Sequence, residues 1–155
     1  MRKLALLAVL LSGLAGCMTT PTQSHSQQGN YSQNADAANA KKIADDVVRK
    51  LVALYPPAST RFDLQHPTAN FFGTYLLESM RAKGYAVQEF DAARKAIGTG
   101  AAGTSTFNLA YLLDQGNNSD LYRVSLVINH DQSLDRVYQL KDGTIYPASY
   151  WVRKE

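Results

Sequence analysis

The sequence is poor in cysteine and only moderately charged. Cys17 is the single cysteine among 155 residues, so the chain can form neither an intramolecular disulfide nor a zinc site built on two thiolates. Glycine (10) and proline (5) are too few for a collagen-like or proline-rich chain. Charged residues make up 19% and apolar residues 45%, which is the balance of a globular protein rather than of a disordered one.

A strong excess of positive charge is also missing. The formal net charge is +3, but Arg2 and Lys3 belong to a segment that we expect to be cleaved. Without them, 14 cationic side chains stand against 13 anionic ones, and the mature chain carries about +1. Nucleic-acid-binding proteins usually carry a strongly basic surface, so this balance argues against nucleic acid as a partner.

No apolar run in the sequence is long enough for a transmembrane helix. Residues 4–16 make a run of 13, short of the roughly 20 that span a bilayer. With Arg2 and Lys3 before it, the run has the length of a secretory signal peptide that covers residues 1–16. The segment ends in Leu14-Ala15-Gly16-Cys17, which resembles the bacterial lipobox.

The lipobox resemblance implies that the Cys17 thiol receives a diacylglyceryl group and that Cys17 becomes the acylated N-terminus after cleavage. The alternative is an ordinary signal peptide followed by a chance cysteine. Met18, rather than Asp, follows the cysteine, and by resemblance to enterobacterial sorting signals this favours the outer membrane. We therefore expect a lipid-anchored protein of the bacterial cell envelope that faces the periplasm.

Residues 17–34 are expected to form a flexible tether that begins with the acylated cysteine. The segment is polar, almost uncharged and nearly free of apolar side chains, so it cannot bury enough surface to offset the cost of ordering. His25 lies in this tether and is expected to be solvated. The folded domain is then residues 35–155, which is long enough for one core.

The pattern of residues 35–155 predicts two helices and several strands. Apolar residues at spacings of three and four predict one helix from Asp36 to Tyr55 and a second that opens at residues 67–68 and closes at residues 83–84. Alternation predicts strands at residues 60–65 and 85–90, an antiparallel meander from Phe107 onward, and a last strand at residues 145–152. We expect a single small α+β domain, with one mixed or antiparallel sheet of four to six strands and two helices on one face.

A glycine-rich segment at residues 98–103 fits the spacing Gly-x-Gly-x-x-Gly but not its usual context. A dinucleotide-binding loop follows a strand and opens a helix, because the helix N-terminus must meet the pyrophosphate. Here a helix-like stretch precedes the segment and a strand follows it. We expect a mobile loop and no cofactor.

The titratable side chains do not suggest a metal site. His66 and His130 lie far apart in the sequence, and neither has a second ligand at helical spacing, so we expect no metal. Asp45 and Asp46 stand among lysine and arginine residues on the polar face of the first predicted helix. This arrangement is typical of a solvated ion-pair face.

Catalytic residues are not expected either. The sequence has no Gly-x-Ser-x-Gly motif, and Cys17 is consumed by the lipid. Asp63 and Glu89 remain open as carboxylates that could meet across the fold. We therefore expect a protein that is not an enzyme.

The C-terminal segment is the candidate for a partner contact. Tyr146, Tyr150 and Trp151 lie within six residues, beside Pro147, in an expected edge strand. In a regular strand Tyr146 and Tyr150 share one face and Trp151 takes the other. Such aromatic residues are frequent in interfaces, and an unpaired edge can accept a partner strand. The alternative is that one of the two faces completes the core.

Four short segments follow the lipobox in order. They are Leu54-Tyr55-Pro56-Pro57-Ala58-Ser59-Thr60, Arg81-Ala82-Lys83-Gly84-Tyr85-Ala86-Val87, Leu121-Tyr122-Arg123-Val124 and Tyr150-Trp151-Val152-Arg153-Lys154-Glu155. Together with the lipobox, and over nearly the whole chain, they resemble the TrbH proteins. These are lipoproteins of the mating-pair-formation apparatus of plasmid conjugation, a type IV secretion system.

The resemblance implies no catalytic residues and a structural or assembly role at the envelope. The expected partners are the membrane, through the N-terminal lipid, and other envelope or secretion-channel proteins. The competing hypothesis is a general outer-membrane lipoprotein that binds a ligand or hydrolyses an envelope polymer. Neighbouring genes for a secretion ATPase and a pilin would favour the first hypothesis.

Overall fold

A computed structural model of the protein describes residues 29–30, 36–93, 104–117 and 119–155. The expected signal peptide, Cys17, His25 and the glycine-rich segment at 98–103 lie outside these residues. Most of the expected tether does too, but two of its residues form the first strand. In chain order the helices and strands are β1 Gly29–Asn30, α1 Ala37–Leu54, β2 Thr60–Leu64, α2 Phe71–Ala82, β3 Ala86–Gln88, β4 Ser105–Gln115, β5 Leu121–Ile128, β6 Gln132–Lys141, β7 Thr144–Pro147 and β8 Val152–Lys154.

The strands form one mixed sheet with the order β3-β2-β4-β5-β6-β7. β1 pairs with β4 beyond the end of β2, and β8 pairs with β6 beyond the end of β7. The pairs β1–β4, β2–β3 and β2–β4 are parallel, and the others are antiparallel. The predicted α+β fold is confirmed: six strands form the path, and two short strands bring the sheet to eight.

Helix α1 follows its sequence pattern. Asp36 is the N-cap, and its side chain accepts a 2.7 Å hydrogen bond from the backbone N–H of Asn39. The helix ends at Leu54, just ahead of Pro56, which cannot continue it. Its buried apolar residues recur at spacings of three and four: Ala40, Ile43, Ala44, Val47, Val48 and Leu51.

Helix α2 begins later than its sequence pattern predicts. Residues 67–68 do not open it; the N-cap is Asn70, whose side chain accepts a 2.8 Å hydrogen bond from the N–H of Gly73. The reason is that an asparagine side chain satisfies a free N–H of the first turn, which a proline ring cannot do. The end of the helix agrees with the prediction, because Gly84 has a φ of 89°, in the left-handed region that favours glycine.

β2, α2 and β3 form the predicted strand–helix–strand unit, since β2 and β3 are parallel neighbours. β3 is shorter than the strand expected at residues 85–90. Strands β4 to β7 form the predicted antiparallel meander. Its last hairpin turns at Asp142 and Gly143, whose φ values of 51° and 73° match a two-residue type I′ turn.

The strand expected at residues 145–152 is two strands. Tyr138 of β6 pairs with Pro147 of β7, and Asp135 of β6 pairs with Val152 of β8. Four residues, 148–151, therefore lie opposite only two residues of β6, 136–137. Because these extra residues leave the ladder, the alternation expected for one regular strand does not hold there.

The core lies between the two helices and one face of the sheet. Along β5 and β2, buried residues alternate with half-buried or exposed ones, as the sequence pattern predicts. The largest fully buried side chains include Tyr111, Tyr138, Phe62, Phe72, Ile43 and Leu51. On the opposite face, here called the open face, the residues of β2 to β8 are half-buried or exposed, apart from the buried Ala110.

Tyr111 reaches from β4 to helix α2 and ends against Gly73. A Cβ atom at position 73 would lie 2.1 Å from the Tyr111 hydroxyl oxygen, far inside contact distance. This hydroxyl is buried and has no hydrogen-bond partner among the described residues, and burial raises its pKa to about 12. Position 73 therefore requires glycine, although glycine costs a helix roughly 1 kcal/mol relative to alanine.

Gly73→Ala should lower the free energy of unfolding by about 1–3 kcal/mol, because the new methyl group meets the Tyr111 hydroxyl. Tyr111→Phe alone should be neutral or stabilising, since it removes a buried hydroxyl without a partner. The double variant should recover part of the loss; the next atoms, at 3.0 and 3.1 Å, still crowd the methyl group. Urea unfolding measures all three variants, and equal losses in the single and double variants would show that the hydroxyl is not the obstacle.

Candidate functional site

The C-terminal segment places its three aromatic residues in different environments. Tyr150 is 91% exposed and Tyr146 is 54% exposed. Trp151 is half-buried and packs against the core. The tryptophan therefore belongs to the fold, and the two tyrosines are the residues that a partner could contact.

Arg136 holds the residues on both sides of Tyr150. It lies on β6, on the face of the sheet that the helices cover. Its guanidinium is 5.6 Å from the ring centroid of Trp151 and 5.7 Å from that of Tyr138, within the range of cation–π interactions. Its Nε donates a 3.0 Å hydrogen bond to the carbonyl of Ser149. Tyr150 is thus exposed on a segment that the core fixes at both neighbours.

The charge of Arg136 is balanced by Asp46 of helix α1. Arg136 Nη1 lies 2.6 Å from Asp46 Oδ2, and this oxygen also accepts a 2.7 Å hydrogen bond from the Tyr138 hydroxyl. Arg49 donates to Oδ1 at 2.7 Å. Burial alone would raise the pKa of the Asp46 carboxyl. The hydrogen bonds from Arg49 and Tyr138 and the charge of Arg136 outweigh burial and hold the pKa below its usual value.

This cluster corrects the prediction that Asp45 and Asp46 both belong to a solvated face. Asp45 does: its carboxylate is 2.9 Å from the Lys41 ammonium, and its side chain is 41% exposed. Asp46 is only 8% exposed, because it turns toward the sheet instead of toward water. Sequence reasoning does not identify Asp46 and Arg136 as the polar centre of the fold.

The cluster has no group suited to proton transfer near neutral pH. The Asp46 carboxyl stays ionised, and burial together with that carboxylate raises the pKa of the Tyr138 hydroxyl. General acid–base catalysis favours a pKa near the working pH. What the arrangement does is fasten the C-terminal segment and helix α1 to the sheet.

β7 lies at an edge of the sheet, but its outward N–H groups are already used or missing. Ile145 sits one pair beyond the residues that flank the two-residue turn, so its N–H points away from β6. This N–H donates to Asn39 Oδ1 at 3.0 Å, and Asn39 Nδ2 donates to the carbonyl of Gly143 at 3.0 Å. Pro147, the next outward position, has no N–H. β7 therefore has no free outward N–H to offer a partner strand, and the expected partner contact at this edge would have to use side chains.

Side chains remain available at this end of the domain. The described ranges have seven large apolar residues that are exposed, and four of them lie here. They are Leu121 on β5, Tyr146 on β7, Tyr150 just before β8 and Val152 on β8. Tyr146 and Leu121 flank Gln139 on the open face of the sheet. We call these four residues the tyrosine surface.

The other candidate residues from the sequence do not come together. His130 is exposed in the turn between β5 and β6, with a φ of 69°. Asp63 pairs with Arg61 at 2.8 Å and Glu89 with Arg81 at 2.7 Å, so each carboxylate has its own arginine. Across the described ranges, no group of three His, Cys, Asp or Glu residues could hold a metal ion. No helix in those ranges combines the length and the apolar character needed to cross a membrane.

His66 is buried and fills a gap in the sheet. β2 pairs with β4 as far as Leu109, and β1 pairs with it from Leu112, which leaves Tyr111 between them. The backbone N–H of Tyr111 donates to His66 Nε2 at 3.0 Å, and the two rings pack with centroids 4.2 Å apart. Burial lowers the pKa of His66, and the accepted hydrogen bond needs an unprotonated Nε2.

Tyr150→Ala should leave the free energy of unfolding unchanged within about 0.5 kcal/mol, because the side chain is solvated. Trp151→Ala should cost about 2–4 kcal/mol, because it removes a large aromatic that packs on the core and on Arg136. Chemical unfolding followed by circular dichroism distinguishes the two. A destabilised Tyr150→Ala variant or an unaffected Trp151→Ala variant would contradict this placement of the two side chains.

The fold should lose stability as the pH falls below about 6.5, the ordinary pKa of histidine. In that range the unfolded chain takes up a proton at position 66 that the folded chain resists, so protonation favours unfolding. The contribution of His66 to stability is fully present above this pH. It is lost as the pH falls toward the lowered pKa that His66 has in the folded chain. Urea midpoints between pH 5 and 8 test this: His66→Gln should flatten the dependence, and His130→Gln, the exposed control, should keep it.

A protein-family model described as "Conjugal transfer protein TrbH" matches residues 22–155 of the chain. No curated protein and no solved structure gives a significant match. The match includes all the helices and strands of the described residues, and it confirms the resemblance seen in the sequence. The chain belongs to the TrbH family of conjugal transfer proteins.

Proposed function

We propose that the protein is an outer-membrane lipoprotein that serves plasmid conjugation as a non-catalytic structural component of the mating-pair-formation apparatus. The family match over residues 22–155 carries the conjugation part of this proposal. The segment Leu14-Ala15-Gly16-Cys17 supports acylation of Cys17, and Met18 supports the outer membrane over the inner one.

The contacts of the polar residues support a structural role. His66 completes the β4 hydrogen bonding, and Asp46 balances Arg136. Asp63 and Glu89 are each paired with an arginine. Both ring nitrogens of His66 face backbone groups, so this buried histidine is not placed to activate a hydroxyl nucleophile.

The tyrosine surface is the proposed contact with another envelope or secretion-channel protein. Tyrosine is frequent among the residues that dominate binding energies, and Tyr150 is held in place without being used by the fold. Trp151 supports the contact by fixing its neighbour. The chain from Cys17 to Gly29 can extend at most ~40 Å, so the lipid would keep Gly29 within that distance of the membrane.

Deleting the gene from its plasmid should lower the mating frequency, and the wild-type gene supplied in trans should restore it. Cys17→Ala should remain an unprocessed precursor, take up no labelled palmitate and fail to restore mating. Ser24→Ala, in the same segment, is the control and should behave as wild type. Undiminished transfer in the deletion strain would contradict the conjugation role. Normal processing of Cys17→Ala would contradict the proposal that the protein is a lipoprotein.

A further inference from the structure

A cleft of about 200 Å³ lies between helix α1 and the edge of the sheet. Side chains of β6 and β7 form its apolar wall, and α1 forms the other side: Tyr138, Ile145 and Pro147 face Lys42, Asp45, Asp46 and Arg49. Pockets for drug-sized ligands usually measure about 300–1,000 Å³. This cleft is smaller, and it suits an inserted side chain better than a cofactor.

Both carboxylates of the cleft are occupied by groups of the protein itself. Asp45 accepts hydrogen bonds from Lys41 and from Ser79, each at 2.9 Å. Asp46 holds the three donors of the buried cluster. Asp46 is therefore not left to attract a cationic ligand, and the charge of Asp45 is paired with that of Lys41.

The two cations of the cleft have binding capacity left. Lys42 is exposed and makes no ion pair with any described residue. Arg49 donates to Asp46, but its side chain is 69% exposed and a guanidinium has five N–H donors. Lys42 and Arg49 are seven positions apart, two helical turns, so both stand on the cleft side of α1. The unsatisfied charge of the cleft is positive.

A partner cannot be recognised at this edge through hydrogen bonds to the N–H groups of β7. The N–H of Ile145 is taken by Asn39, and Pro147 has none. An occupant must therefore be recognised through its side chains. Carboxylates complement Lys42 and Arg49, and an apolar side chain complements the wall of the cleft.

We propose that this cleft binds an acidic segment of a partner protein, with one apolar side chain of that segment inserted between α1 and β7. The inference rests on the proposed function, because it specifies the partner of a structural component. Tyr146 of the tyrosine surface lies on the other face of β7. A partner that enters the cleft can therefore cross the edge and cover Tyr146 as well.

The test measures fluorescence anisotropy with the mature lipidated protein in nonionic detergent. The probe is a fluorescein-labelled Glu-Glu-Leu-Glu-Glu peptide, with Gln-Gln-Leu-Gln-Gln and Glu-Glu-Ser-Glu-Glu as matched peptides. We expect saturable binding of the first peptide and at least about tenfold weaker binding of the other two. The glutamine peptide lacks the carboxylates, and the serine peptide lacks the apolar side chain. Absence of saturable binding would overturn the proposal.

Charge reversals in the protein separate a site from general attraction. Lys42→Glu should weaken binding at least about tenfold, while Lys83→Glu should change it less than about twofold. Lys83, the C-cap of α2, is also exposed but does not line the cleft, and both changes alter the net charge equally. Thermal unfolding confirms that both variants fold. Equal weakening by both would overturn the proposal.

Binding to lipid is a separate outcome of the same variants. If the peptide fails to bind but a fluorescent short-chain phosphatidylglycerol in the same detergent binds the wild type and not Lys42→Glu, the cleft recognises a lipid headgroup and the proposal is wrong. Mating frequency is measured separately, so the cleft and the proposed function can fail independently. Peptide binding with undiminished mating in the deletion strain would refute the function alone, and the reverse result would refute the cleft alone.

Discussion

Arg136 places a positive charge on the covered face of the sheet, and the rest of the structure depends on its pairing with Asp46. A buried charge without a partner costs several kcal/mol, so each of these residues needs the other. The pair joins α1 to β6 across 90 positions of the chain. The same guanidinium reaches Ser149 and Trp151, so helix, sheet and C-terminal segment are fixed by one group.

This pairing also affects the two proposed contact sites near the edge of the sheet, the tyrosine surface and the cleft. Because Arg136 holds both neighbours of Tyr150, the exposed ring sits on an ordered backbone, and binding would immobilise less of the chain. Both oxygens of Asp46 are paired with Arg49 and Arg136. Asp46 therefore does not neutralise the charge of Lys42 at the rim of the cleft. One buried ion pair therefore shapes the contact properties of both faces of β7.

Elements with a local signal can be predicted from the sequence, and contacts between distant segments cannot. The cap at Asp36 and the turn at Asp142 are set by neighbouring residues, so the sequence predicts α1 and the last hairpin correctly. Asp46 follows the buried Ile43 by three positions, and Arg136 stands at an inward position of an alternating strand. These positions are compatible with a buried pair, but only the fold brings the pair together. The break between β7 and β8 likewise depends on contacts with β6 that no local pattern contains.

The closure of β7 by Asn39 has a consequence for crowding. Molecules confined to a membrane, as proposed for this protein, meet one another at a much higher effective concentration than in solution. An open strand edge under such confinement would favour growth of a continuous sheet from copy to copy. With one amide capping Ile145 and Gly143 and a proline at the next position, the chain can be densely displayed without polymerising along this edge.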